Sequence, residues 1–402
     1  MVRFFKNKKV ENIFKWTTMI WVVVYACALF YLYYGQTLYF KTGRFESDLA
    51  FHLKFAVEDK FFYSFTTFLY LLLYKLPAFN YTVAFLLMAT TIGSIFLTAI
   101  LLRKLFEANK VVVSKTYIDF LALVSNFVIG FYLSFAGKSH YVAYQSGNLW
   151  HNSTYIFMRF FALLTVLIFI KYHENYKNGI DLKLWFLLSI VLMITTGIKA
   201  SFFTVFGPVM ALVLLYDLCT KTKFIRVFVA ALTVIPSFAV VLYQNLVLFG
   251  NDTGNGFVIN PFYTLSLRGE HPKVTLILSI LFPLMVGICH TNDIWKNKYY
   301  TVSILIFIFG FVEVFLFAES GSRSKDGNFL WGYAISIFFI FVMSIVLFVK
   351  DFLNMGKDLK SGSILKKVKC LWLVLTFLAL IWHFISGVWY FVLLLSGVTY
   401  FV

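Results

Sequence analysis

Ionisable side chains are scarce in this chain, and those that could do chemistry fall into a few short stretches. The first reads Phe45-Glu46-Ser47-Asp48-Leu49-Ala50-Phe51-His52. In a helix, Asp48 and His52 share one face at i, i+4. A carboxylate beside an imidazole suits general-base work on a hydroxyl, or metal binding. The same residues also suit a solvated loop in which Ser47 or Asp48 caps a helix. The second stretch runs from Glu319 to Asn328 and sets Arg323 and Lys325 among Gly and Ser. Arg grips phosphate through its fork and Lys acts as a point charge. Small residues leave backbone N–H groups open to an anion, although an ordinary polar turn has the same composition.

Two further ionisable groups lie against apolar sequence. Lys199 stands in Thr195-Thr196-Gly197-Ile198-Lys199-Ala200-Ser201, between two apolar segments. It either snorkels to the surface or faces a pocket for a lipid phosphate. Glu313 lies within an apolar segment, where a carboxylate is a functional candidate by default or the partner of a buried cation. The stretch 137–154 carries Tyr144, Trp150, His151 and Asn152. These residue types anchor at membrane interfaces, and they also stack on sugar rings and hydrogen-bond hydroxyls. The stretch 250–273 holds Arg268, Glu270 and His271, and its Gly-Asn content predicts turns in a mobile flap. His52, His140, His151 and His271 are the available imidazoles there, but no spacing supports a divalent metal, so no ligand set and no cofactor is assigned.

The elements that must position these residues follow from composition. Of 402 residues, 61% are hydrophobic and 13% charged, against roughly 45–50% and about 25% in soluble domains. About a dozen spans of about 20 residues would absorb that apolar content. A soluble enzyme, a nucleic-acid-binding domain and a disordered chain are excluded. The net charge of +17 comes from Lys and Arg in short loops, the pattern of membrane orientation and not of nucleic-acid binding. The four cysteines form no disulfide or zinc pattern. No Walker A, dinucleotide or Gly-x-Ser-x-Gly motif occurs.

Spans are predicted at 16–35, 81–102, 116–136, 155–170, 183–198, 202–218, 227–249, 274–290, 300–318 and 329–349. The stretch 370–402 forms one span, or two with a hairpin turn at His383–Gly387. The total is eleven or twelve in a single transmembrane domain covering 1–402, an all-α polytopic fold. Charge parity requires that 61–76 not cross, so it is read as an interfacial or re-entrant helix within a first outer loop, 36–80. With that topology 23 Lys and Arg lie on the cytoplasmic side and ten outside, so the N-terminus is expected in the cytoplasm. All the polar stretches above then fall on the outer face.

This arrangement resembles the integral-membrane glycosyltransferases of the GT-C fold. In that family a first span is followed by an outer loop with an acidic motif, then interfacial helices, then the second span. Here Glu46-Ser-Asp48-Leu-Ala-Phe-His52 looks like that motif, and 61–76 falls where the family has its interfacial helix. The resemblance covers about the first 100 residues by pattern and the rest by span count. The expected lack of a C-terminal soluble domain makes the chain look like the compact bacterial branch, in the plasma membrane. The resemblance implies a polyprenyl-phosphate sugar as donor and a glycan, lipid or protein acceptor. It implies Asp48 as catalytic base, with Glu46 as the alternative and His52 as an orienting or phosphate-contacting neighbour. Arg323, Lys199, Lys325 and Arg268 would hold the donor phosphate. Tyr144, Trp150, His151, Asn152 and Glu319 would meet the sugar or acceptor. Two other readings remain open. One is a polysaccharide polymerase or ligase acting on undecaprenyl-linked glycans through Arg268, His271 and Arg323. The other is a transporter or lipid flippase using Glu313 and Lys199, although no inverted repeat is visible.

Overall fold

The computed structural model describes residues 8–133, 146–220, 222–250, 256–267, 271–291, 295, 297–360 and 363–397. In chain order the helices are α1 (Lys8–Thr37), α2 (Asp48–Val57), α3 (Phe65–Tyr74), α4 (Phe79–Ala108) and α5 (Lys115–Ser125). Then come α6 (Ser153–Asn175), α7 (Leu182–Ile198), α8 (Ser201–Cys219) and α9 (Phe224–Leu248), the last crossing a 3-10 turn at Leu232–Val234. α10 (Pro272–Ser279) and α11 (Leu281–His290) form a broken pair, followed by α12 (Lys298–Leu316), α13 (Phe329–Lys360) and α14 (Ile364–Leu395). Eight of these are long and apolar enough to cross a membrane, or nine if the α10–α11 pair is one span. The chain is an all-α, multi-pass membrane protein.

Burial separates the helices. The apolar window of α13 is 94% buried, against 17% for α1 and 33% for α14. A helix apolar all round belongs inside a bundle or in lipid, and α13 is the central one. Small residues let neighbours approach it: a Cβ on Gly310 of α12 would stand 2.6 Å from Ser336 Oγ of α13. Side-chain bonds define two ends of the bundle. At the end bearing the N-terminus, Asn109 bonds the Tyr300 hydroxyl, His173 meets Asp217 and His290 meets Asp351. At the opposite end the starts of α2, α6 and α13 meet the ends of α7 and α12. Two short antiparallel strands, β1 (Phe257–Ile259) and β2 (Phe317–Glu319), lie there too, with Phe257 opposite Glu319.

Three of the expected eleven or twelve spans take another form, and of the two readings of 370–402 the single helix is the one present. The segment 116–136 is not one helix: α5 stops at Ser125, and 127–133 is non-helical chain held inside the bundle. Its backbone is served by side chains and by backbone of distant segments. Asn148 Nδ2 donates to the Val128 carbonyl at 2.6 Å, and the Tyr132 N–H donates to Ser386 Oγ at 3.2 Å. The Phe131 N–H donates to the Leu278 carbonyl at 3.0 Å. Non-helical backbone is tolerated at such a place only when it is served in this way. The segment 183–198 gives a 17-residue helix, rising about 26 Å, at the lower limit of spanning length. The segment 274–290 is bent by 63° between α10 and α11. No hairpin forms at His383–Gly387, because α14 runs straight through it. Ser386 and Gly387 make room for the 127–133 strip instead, and a Cβ on Gly387 would lie 1.5 Å from the Phe127 carbonyl oxygen.

The first loop holds short helices. α3 has ten residues and a Ser64–Thr67 capping box. Ten residues rise about 15 Å, so α3 does not cross. The expected flap at 250–273 is corrected in part: 256–260 is fixed against α12 and β2, with the Asn260 N–H on the Leu316 carbonyl at 2.9 Å.

Candidate functional site

The site is built at the end of the bundle opposite the N-terminus. Phe45 adopts a left-handed backbone (φ 62°), and its ring lies on Gly35, where a Cβ would meet it at 2.7 Å. The neighbouring Arg44 guanidinium donates to the Ser396 carbonyl at 3.0 Å, which ties this loop to the end of α14. After Ser47 the chain turns into α2 with Asp48 as its first residue, where a carboxylate complements the helix dipole. Asp48 and His52 thus share one helical face.

Asp48 is met by the start of α6. Asn152 Nδ2 donates to Asp48 Oδ2, and His151 Nε2 stands 4.0 Å from the same oxygen. The Asp48 side chain keeps 27% exposure, whereas that of His151 has none. Asn152 works in both directions. Its Oδ1 accepts from the Tyr155 N–H at 2.7 Å and from the Thr154 hydroxyl at 2.8 Å, capping α6. His151 Nδ1 lies 3.3 Å from the Tyr390 hydroxyl of α14. His52 is buried with Nδ1 3.0 Å from Ser153 Oγ. Burial lowers its pKa to about 4, against a smaller upward pull from Asp48 and with a small downward push from Lys199. His52 is therefore neutral at pH 7 and orients its surroundings, rather than adding a positive charge for a phosphate.

Lys199 sits in the tight link between α7 and α8. Its Nζ donates to Thr154 Oγ1 at 3.0 Å and lies 4.0 Å from the centre of the Trp331 ring. Burial lowers its pKa to about 8, partly offset by the charge of Asp48 and reinforced by that of Arg323. Gly197 lets α3 close over this link, since a Cβ there would meet the Phe65 ring at 2.4 Å. The α12–α13 turn completes the site. Arg323 Nε donates to Asp326 Oδ2 at 2.9 Å. Glu319, at the end of β2, accepts from the Asn328 backbone at 3.1 Å and from its side chain at 2.8 Å. Burial raises the Glu319 carboxyl, while the Asn328 bonds and Arg323 draw it down and Asp326 pushes it up.

Lys199, Arg323, Glu319 and Glu313 line one cavity of about 150 Å³ with Tyr63 and Thr154. Glu313 forms part of its wall, accepting from Thr204 Oγ1 at 2.6 Å. Asp48 is not part of this wall, but its charge acts on two residues that are, Lys199 and Tyr63. An apolar groove of about 360 Å³, walled by Phe65, Leu69, Phe157 and Phe160, adjoins it through the shared residue Ile198.

Asp48, His52, His151, Asn152, Lys199, Arg323 and Glu319 therefore converge. Others do not. Trp150 is turned into the core, 2% exposed, with Nε1 donating to the Tyr25 hydroxyl at 2.7 Å, so it is no sugar platform. His151 and Asn152 are likewise closed off, and the Asn152 amide is spent on Asp48. Lys325 is exposed on the turn and lies outside the cavity wall. Glu46 is half-buried and makes no hydrogen bond or ion pair among the described residues. Tyr144 and Arg268 lie outside the described residues. No cluster of three His, Cys, Asp or Glu residues able to hold a metal occurs among the described residues. Sequence reasoning missed Thr154, Tyr63 and Trp331. Their only signal was position, each beside a polar turn. No protein-family model and no curated protein matches the chain.

Proposed function

We propose that the protein is a membrane glycosyltransferase that moves a sugar from a polyprenyl-phosphate donor to a hydroxyl of a glycan, lipid or protein. The membrane is the bacterial plasma membrane, the N-terminus is cytoplasmic, and the site opens on the outer face. The observation that carries this reading is a half-open carboxylate, Asp48, held by Asn152 beside a cavity bearing Lys199 and Arg323.

Each part has a task in this reaction. The lipid tail lies along the Phe65–Phe160 groove and its phosphate reaches Lys199 and Arg323. The acceptor oxygen attacks the anomeric carbon while Asp48 takes its proton. The bond from that carbon to the phosphate oxygen breaks, and its electron pair leaves with the phosphate. The two cations stabilise the charge that develops there. Asn152 fixes the direction of the Asp48 carboxylate, and neutral His52 holds Ser153 at the same helix start.

The test uses the purified full chain, a panel of polyprenyl-phosphate hexoses, and an envelope extract as acceptor. Asp48→Asn keeps the shape and removes the base, so turnover should fall about 10²–10⁴-fold with donor binding retained. Wild-type turnover in Asp48→Asn would remove the assignment, and loss in Glu46→Gln instead would move the role two residues upstream.

A further inference from the structure

A second cavity, of about 570 Å³, lies at the other end of the bundle, between α6, α8 and α12. Its deep wall is apolar, formed by Phe169, Val302 and Leu305. Its flank is open: Leu212 is 43% and Tyr216 67% exposed. On a membrane-spanning helix such residues face lipid, so the cavity opens sideways into the bilayer. Its polar rim carries Lys177, Lys298 and Trp295, and an exposed Trp at the end of a spanning helix marks the interface level.

Charge distinguishes this cavity from a plain lipid-facing groove. The one carboxylate among the described residues of its wall, Asp217, is 1% exposed and fully engaged. It accepts from the Tyr176 hydroxyl at 2.6 Å and from Lys177, and it lies 2.6 Å from His173 Nε2. Lys298 makes no ion pair among the described residues. Among the described residues the rim is therefore net positive, above an apolar slot that is open to acyl chains.

We propose that this cavity binds a phospholipid with an anionic phosphate head, drawn from the leaflet on the N-terminal side. The phosphate sits between Lys298 and Lys177, and the first methylenes of a chain run along Leu212 and Val213. Each lysine near the surface should contribute roughly fivefold in affinity.

The test uses the full chain in detergent, with phosphatidylglycerol and phosphatidylcholine added separately as mixed micelles. Native mass spectrometry reads the bound lipid. Phosphatidylglycerol should be retained over phosphatidylcholine, with Lys298→Gln losing roughly fivefold and Lys298→Arg recovering it. Leu212→Trp fills the slot without changing a charge. It should abolish retention and leave the melting temperature without added lipid unchanged. Equal retention of the two lipids, or a Lys298→Gln protein that retains phosphatidylglycerol as wild type does, would overturn the proposal. Competition by glycerol phosphate at the same concentration as the lipid would also overturn it, since the site would then be one for a free phosphate.

Discussion

Replacing Lys199 by Met tests the phosphate pocket with one side chain. The Met keeps a stem to lie on Trp331 and removes the ammonium that contacts Thr154. Burial holds the lysine at about 8, so the wild-type side chain is about nine-tenths charged at pH 7 and only a few per cent charged at pH 9.5. A polyprenyl monophosphate is already doubly ionised over that range, its second ionisation lying near about 6. Loss of one charge-assisted contact costs about 1.5–3 kcal/mol, or roughly 10–150-fold in affinity. Wild-type affinity for polyprenyl phosphate, read by calorimetry in detergent, should fall roughly 8–25-fold between pH 7 and 9.5, with the rest of the loss at higher pH. A bound phosphate favours the charged lysine and moves the midpoint above 8. Lys199→Met should start weaker by the whole of that contact at pH 7 and stay flat. The ligand-free protein should show the opposite trend. A lysine depressed in the fold contributes stability that is present above its unfolded value near 10.5 and lost as the pH falls through 8, so melting temperature should rise with pH while affinity falls. A Lys199→Met protein whose affinity follows the wild-type curve would refute the assignment of the cation.

Two further outcomes test the frame of the site. His52 is lowered from 6.5 to about 4 by burial, so its contribution is whole above pH 6.5 and is lost as the pH falls toward 4, up to roughly 3 kcal/mol. A His52→Gln protein should therefore melt with less acid sensitivity in that window, and an unchanged acid profile would count against a neutral buried imidazole. Gly387→Ala places a Cβ 1.5 Å from the Phe127 carbonyl oxygen, and overpacking against backbone should cost about 3 kcal/mol or more. Gly287→Ala, with nothing within 4 Å, is the control, and equal melting temperatures for the two variants would refute the close approach.

Much of the site was legible because polar groups are rare in this chain. Asp48, Lys199, Glu319 and Arg323 stood out against apolar neighbours, and alternation of the spans brings them to one end of the bundle. Asn152 was visible as a polar residue, but its task was not, because the bond to Asp48 joins residues 104 apart in the chain. Trp150 misled for the same reason: an indole suits an interface, a sugar or a core equally well, and only the distant Tyr25 hydroxyl decides. The non-helical strip after Ser125 was hidden because Phe127, Val128 and Ile129 have the hydropathy of a span. The helix stops where Asn126 and Asn148 meet Arg159, whose Nη2 donates to Asn126 Oδ1 at 2.7 Å. Hydropathy cannot report a side-chain partner. It overcounted spans wherever such a partner bends or ends a helix.

That strip also constrains the order of assembly. Phe131 is served by Leu278 of α10, and Tyr132 by Ser386 of α14, 254 residues later in the chain. The Ile129 carbonyl lies 2.6 Å from His383 Nδ1, also on α14. When 127–133 leaves the ribosome, none of these partners exists. Until α14 is made, the strip's open backbone groups must remain with water or lipid heads, because hydrocarbon offers them nothing. The segment is therefore threaded through biosynthesis unfinished, and a helix made long after it is the one that allows it to be sealed.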